Sequence, residues 1–369
     1  MKVVCSKQDL LNAVNIVSKA VPANTTMSLL ECILMQAGNG EIKLTANDME
    51  LGIETVIGGM IEIAGMIAID AKMLQESVRK LPDGDITIES DDNDHVMITC
   101  GTLQFGINGK NGDEFTFLPK VERKDSIQIS TFTLRDIIRQ TIFSIGNNDT
   151  NKVMGGVDII IKNDQLRVTT LDGHRVSIRK VQLKSIYSEQ EIIIPGKALN
   201  EISKIIPGFA DEMVNIFITD NNIIFEFDNT IVVSRLIDGE YFKLDNMLST
   251  DYKTKIKINK RQLLDSIDRA SLMAKEGDKK PIIMDINDIN INLSITSVMG
   301  SMNENISIDK EGIDMRIGFN PKFFMDALKV IDDEEIIMYM VDPKAPCYIR
   351  DDNETFIYMI LPININSAR

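Results

Sequence analysis

Apolar and polar positions follow two rhythms along this chain, and the rhythms return in the same order three times. In IIIPGKALNEISKII, Ile192–Ile206, a β-branched run meets Pro195–Gly196, and Leu199, Ile202, Ile205 and Ile206 then recur at helical spacing. Ile67–Leu81, IAIDAKMLQESVRKL, and Arg316–Val330, RIGFNPKFFMDALKV, carry the same pattern. Lys72, Lys197 and Lys322 lie 125 residues apart, and each is followed seven positions later by another base: Arg79, Lys204 and Lys329. A spacing of seven keeps each basic pair on one helical face, away from the apolar stripe.

Each third also opens with an amphipathic helix, predicted over Lys7–Lys19, Thr133–Ile145 and Asn259–Ser271. Leu10–Leu11, Ile137–Ile138 and Leu263–Leu264 hold matching places in the three. Period-2 stretches follow at Gly40–Asp48, Asp164–Asp172 and Asp288–Ser297. After each basic helix the pattern predicts a pair of strands: Asp85–Glu89 with His95–Ile107, Val214–Thr219 with Ile223–Leu236, and Glu335–Val341 with Cys347–Pro362. The expected fold is α+β, three tandem repeats each with two helices on antiparallel sheet. Polar stretches near Val121–Asp125 and Thr250–Lys255 set the expected domains at 1–122, 123–250 and 251–369.

Composition narrows the class of protein. With 44% hydrophobic and 26% charged residues the chain reads as an ordinary globular protein, and no apolar run approaches the roughly 18 residues of a membrane span. MKVVCSKQDLLNAV lacks a signal-peptide core, so the expected location is cytoplasmic, with no membrane partner. Cys5, Cys32, Cys100 and Cys347 are scattered, without ligand spacing, and read as buried free thiols; no metal or cofactor is expected. A net charge of −15 taken alone argues against nucleic acid. The six helices, however, hold fourteen bases against seven acids, a net of +7, which leaves −22 on the remainder. Such a distribution suits non-specific contact with the backbone of double-stranded DNA. Ordinary solvated helix faces are the competing explanation, and they make the chain a protein-only adaptor.

Catalytic motifs are missing: no phosphate-binding loop, nucleophile elbow or zinc-binding helix is written here. Of the two histidines, His95 falls in a hairpin. His174 stands in Leu171-Asp172-Gly173-His174-Arg175-Val176, where the other thirds read Asn47-Asp48-Met49-Glu50 and Thr296-Ser297-Val298-Met299. Asp172 and His174 could serve a hydrolase as orienter and base, but no nucleophile accompanies them; a binding turn freed by Gly173 is the stronger reading.

Five stretches together carry a likeness: MSLLECILMQ (Met27–Gln36), LTANDMELGI (Leu44–Ile53), LDGHRV (Leu171–Val176), RLIDGEY (Arg235–Tyr241) and YMILPI (Tyr358–Ile363). Over its whole length the chain resembles the bacterial DNA polymerase III β subunits, the sliding clamps. The resemblance implies a non-enzymatic processivity factor: a head-to-tail homodimer closed into a ring around duplex DNA, tethering replicative DNA polymerase, clamp loader and repair proteins through short peptides. The basic helical faces read above, with Lys72, Arg79, Lys80, Lys197, Lys204, Lys322 and Lys329, would then point at the DNA. Lys72, Arg79 and Lys197 resemble positions where the family places bases, Asn148 one where a polar contact is usual, and Asn24 falls where many relatives carry Arg. The implied partner-peptide cleft is Met154, Leu171, Gly173, His174, Arg175, Val176, Phe242, Asn246, Met247, Met359, Leu361, Pro362 and Ile363. Phe242 replaces a usual Pro there, and Asn246 and Asn364 replace usual arginines. Phe105 and Ile107 are implied to meet Leu272 and Met273 across the dimer seam.

Overall fold

Six helices each begin where a strand ends, with almost no loop between. The computed structural model describes residues 1–119, 123–146, 151–244, 247–248, 250–273 and 280–365. The helices are α1 (Lys7–Val17), α2 (Ala71–Lys80), α3 (Thr131–Thr141), α4 (Gly196–Ile205), α5 (Lys260–Ser271) and α6 (Pro321–Leu328). A polar residue at the strand end accepts the first free helical N–H in five of them. Ser6 caps Asp9 N, Asp70 caps Met73 N, Ser130 caps Thr133 N, Asn259 caps Gln262 N, and Asn320 caps Lys322 N ahead of Pro321. The exception, α4, starts on Gly196, where an added Cβ would lie 2.2 Å from Ile145 Cδ1. Any larger residue there would force the Ile145 side chain to move, which glycine avoids.

The strands after each basic helix number three, not the two that the alternation suggests. His95–Ile107 breaks into His95–Cys100 and Leu103–Asn108 at Gly101, where φ is +56°. Ile223–Leu236 breaks into Asn222–Phe227 and Thr230–Arg235 at Asp228, where φ is +49°. Cys347–Pro362 breaks into Cys347–Arg350 and Phe356–Ile360 across a loop containing Glu354. Each left-handed residue reverses the chain without disturbing the inward-facing set.

By Cα proximity the chain forms two compact units: 1–135 with 197–236, and 136–196 with 237–369. The first unit holds a five-stranded and a nine-stranded antiparallel sheet. In the nine-stranded sheet, Leu51–Ile57 of the first repeat pairs with Thr230–Arg235 of the second: Leu51 opposite Ser234, Ile53 opposite Val232, Thr55 opposite Thr230. The second unit holds a seven-stranded and a four-stranded sheet. There Arg175 lies opposite Ile360, Ser177 opposite Tyr358 and Arg179 opposite Phe356. Counted from the hairpin turns at Asp48 and Asp172, these are the same positions, so one register joins repeat to repeat twice. Among the described residues, two strands of the kinds that make those joins have an unpaired outer edge: Leu103–Asn108 in the first unit and Gly300–Ser307 in the second.

Helices close over the sheets. Leu10, Ala13, Val14 and Val17 of α1 and Leu74 and Val78 of α2 are buried in the first unit. In the second, Leu263, Ile267 and Ala270 of α5 and Phe324, Ala327 and Leu328 of α6 join a single core with both sheets. All four cysteines are buried and unpaired. Burial pushes the Cys5 thiol up to about 12 and raises Cys347 as well. Among the described residues no helix is long and apolar enough to cross a membrane, and no cluster of His, Cys, Asp and Glu could hold a metal ion.

Candidate DNA-facing helices and partner cleft

The periodicity of α2 sends Leu74 and Val78 into the core and leaves Lys72, Arg79 and Lys80 exposed. α6 does the same with Lys322, and Lys329, its C-terminal cap, is exposed too. Lys197 and Lys204 of α4 are also exposed, but their charges are partly answered. Lys197 Nζ lies 2.7 Å from Asp48 Oδ2, and Lys204 Nζ lies 2.7 Å from Glu201 Oε1. Asp48 is the Asp of the LTANDMEL stretch; its other oxygen accepts from Glu50 N and Leu51 N. Asn24 is exposed, and Asn148 lies outside the described residues.

The described residues expected to line the cleft all belong to the second unit. Leu171, Val176 and Met359 are buried in a cluster with Ile178, Ile193, Tyr241, Leu244, Tyr348 and Ile357, and Met154 packs against it. Val176 faces Met359 across paired strands, and Leu361 N donates to His174 O at 2.8 Å, which ties the exit of the last strand to the turn. Above this floor Phe242 is 43% and Met247 45% exposed. Phe242 leans edge-on against Tyr241, and Tyr348 Oη donates to Met247 O. Leu361, Pro362 and Ile363 are half-buried. Aliphatic, thioether and aromatic groups with few fixed polar atoms make an adaptable groove. Asn246 lies outside the described residues.

The Asp172–Arg175 turn is built from one carboxylate. Asp172 Oδ1 accepts from His174 N (3.0 Å) and Arg175 N (3.1 Å), and Gly173 takes φ +84°. The Asp48 turn uses its carboxylate in the same way, so the backbone shape is shared between repeats. What is peculiar to the middle repeat is Arg175, only 7% exposed, at the place of Leu51 and Gly300. Its Nε donates to Asp172 Oδ2 at 2.9 Å, Nη1 to Asp326 Oδ2 at 2.7 Å, and Nη2 to Phe143 O. Arg175 is therefore buried, with its guanidinium donors turned to these partners. His174 is exposed, and its ring stacks on Phe323 with centroids 6.0 Å apart. Asp172 bonds the His174 backbone, not its ring, so the pair lacks the orienter–base geometry of a hydrolase.

One buried acid adjoins this cluster. Asp158 is 3% exposed, its Oδ1 has no hydrogen-bond partner among the described residues, and burial pushes its carboxyl up to about 7, against the pull of Arg167. Burial, and then the Asp158 charge, raise the Tyr241 phenol. The sequence did not single out Phe323, Asp326 or Asp158. Phe323 and Asp326 sit inside the amphipathic pattern of α6, where an aromatic reads as core and an acid as solvated face. At the expected seam, Phe105 is half-buried and Ile107 buried in the first unit, while Leu272 is exposed and Met273 half-buried in the second.

Antiparallel sheets capped by paired helices, exposed bases and an apolar groove define a binding scaffold of the clamp type. Family models of the DNA polymerase III beta subunit match its N-terminal domain at residues 1–119, its central domain at 128–243 and its C-terminal domain at 245–364. The chain is 34% identical to the beta sliding clamp of Bacillus subtilis over 376 residues, covering 98% of this chain and 99% of the relative. A crystal structure assigned to the DNA polymerase III beta subunit of Eubacterium rectale superposes with a TM-score of 0.96 at 62% identity, covering 99% of this chain and 100% of that one. The Bacillus subtilis clamp structure superposes with a TM-score of 0.95 at 33% identity, covering 99% of both. The chain belongs to the DNA polymerase III beta subunit family, the beta sliding clamps. It is a non-catalytic processivity factor of DNA polymerase III.

Proposed function

We propose that two copies of this chain close head to tail into a ring that encircles duplex DNA and slides on it without reading sequence. Lys72, Arg79, Lys80, Lys197, Lys204, Lys322 and Lys329 face the phosphates, and Asn148 joins them. The ring holds the replicative polymerase, the clamp loader and repair proteins by short peptides seated over Met154, His174, Phe242, Met247 and Leu361–Ile363. It works in the cytoplasm, where the chromosome is. The three sequence repeats, 1–122, 123–250 and 251–369, act as its domains.

The observation that carries this reading is the repeated join. The register that pairs Leu51–Ile57 with Thr230–Arg235 also pairs Arg175–Arg179 with Phe356–Ile360. Carried forward once more, it sets Ile107 opposite Gly300, Phe105 opposite Met302 and Leu103 opposite Glu304 of a second copy. Met273 lines that edge, its Sδ 3.5 Å from where a Gly300 Cβ would stand. Unlike edges make a heterologous contact, and closure after two copies removes both.

Encirclement makes retention topological, so weak electrostatics suffice. The loaded protein is expected to leave nicked circular DNA slowly and the same DNA, once linearised, quickly. Equal loss from both would sink the reading. Reversing Lys72, Lys197 and Lys322 together to Glu should reduce loading or retention, whereas a protein-only adaptor would not respond.

A further inference from the structure

Arg175 brings a full charge beneath an apolar groove, and a buried guanidinium persists only where its donors are met. Two carboxylates and a carbonyl meet them. Asp172 Oδ2 lies 2.9 Å from Nε, Asp326 Oδ2 lies 2.7 Å from Nη1, and Phe143 O accepts from Nη2. The guanidinium also lies over the Phe323 ring, 4.5 Å from its centroid. The partners form a chain of support. Asp172 holds the His174 and Arg175 amides, Arg175 holds Asp172, and Asp326 holds Arg175. Asp326 lies 151 residues further along, on α6. The equivalent acid on α4, Glu201, spends its charge on Lys204 of its own helix instead. Tyr358 Oη donates to Phe323 O, so α6 is fixed to the last strand beside the same turn.

We infer that Asp326 is a positioning residue of the partner cleft: through Arg175 and Asp172 it sets the turn that presents His174. The inference rests on the proposed cleft, and it deepens that reading by making α6, the helix of Lys322 and Lys329, the support of the groove. Without the Asp326 carboxylate, Arg175 keeps its charge and half of its carboxylate pairing, and the turn loosens while the core of α6 stays intact.

The test combines amide exchange with binding of the same organism's replicative polymerase to the full-length protein. In Asp326→Asn, the His174 and Arg175 amides are expected to exchange about tenfold faster, as befits loss of a charged hydrogen bond, and polymerase binding to weaken by about the same factor. Asp326→Glu should recover part of both. In a His174→Ala background, Asp326→Asn should cost little further affinity, because both act through one turn. Independent, additive losses in that double variant would overturn the proposal. Unchanged exchange of the two amides in Asp326→Asn would overturn it as well, whatever the polymerase does. Faster exchange with polymerase binding indifferent to His174→Ala would overturn the cleft reading and leave the positioning role standing. A melting curve for each variant separates these results from global unfolding.

Discussion

Asp158 shows how one residue writes itself into stability. Its folded carboxyl titrates near 7, well above the ordinary 3.8, because burial disfavours the anion. Between those values the folded protein holds a proton that the unfolded chain has released. The group's contribution to stability is therefore full below about pH 4 and is lost as pH rises through about 7. Asp158→Asn keeps the shape and stays neutral. It should melt higher than the parent at about pH 8, with the gain shrinking as pH falls towards about 4. A difference independent of pH would place the titration elsewhere. Residues of this kind were hidden in the sequence. Asp158 stands in the run Val157–Ile161, where alternation cannot say whether a lone acid faces solvent. Lys72 and Arg79 were legible because a helix has a period, and a charge seven residues from another must share its face. The pairing of Arg175 with Asp326 was not, since nothing local links positions that far apart. Phe323 hid for the opposite reason: an aromatic on an apolar stripe looks like core, and here it underlies His174.

At the scale of elements the strand–cap–helix unit explains why most helix starts could be read closely, although α3 runs Thr131–Thr141 where Thr133–Ile145 was expected. A strand that ends on Ser, Asp or Asn supplies the N-cap at once, leaving no loop in which a boundary could drift. Asp70 Oδ1 accepts from Met73 N at 2.8 Å at the start of a helix bearing three of the proposed DNA contacts. Asp70→Ala should cost about 1 kcal/mol, read as a lower urea midpoint with unchanged slope. A variant as stable as the parent would show that the cap is redundant. Strand number was less legible. Gly101-Thr102 and Asp228-Asn229 are turns of two residues embedded in alternating apolar runs. They reverse the chain without interrupting the period that identifies a strand. The Asp48 and Asp172 turns align by position, but their common shape was not legible, because their sequences differ everywhere except at the carboxylate that builds both.

For the whole molecule the informative quantity is where charge lies. A chain of −15 carries net positive helices, and two of the bases on α4 are already matched by Asp48 and Glu201. Its hold on DNA should then lean on Lys72, Arg79, Lys80, Lys322 and Lys329 more than on Lys197 and Lys204. The seam gives a sharper test. Phe105→Arg would set a charge opposite Met302 in the proposed pairing, and the solution mass should drop from twice 41.4 kDa to that value. An unchanged mass would move the seam elsewhere. The threefold repeat was legible at this scale because 125-residue spacing survives divergence of nearly every other residue. The cut of the middle repeat between two compact units was not, because sheets that run through a repeat boundary leave no linker to mark it.

The two unlike open strands have a consequence for mixtures. In the proposed ring, a chain with one strand of each sort is a two-ended monomer, like a link that accepts one neighbour and offers itself to one other. A copy altered at Leu103–Asn108 keeps its Gly300–Ser307 end, so it can still engage an intact copy while denying it closure. Co-expressed with the normal chain, such a copy acts as a terminator. If the proposed seam holds, poisoning grows with the share of altered chains, and a cell that makes both versions loses more working rings than it loses normal protein.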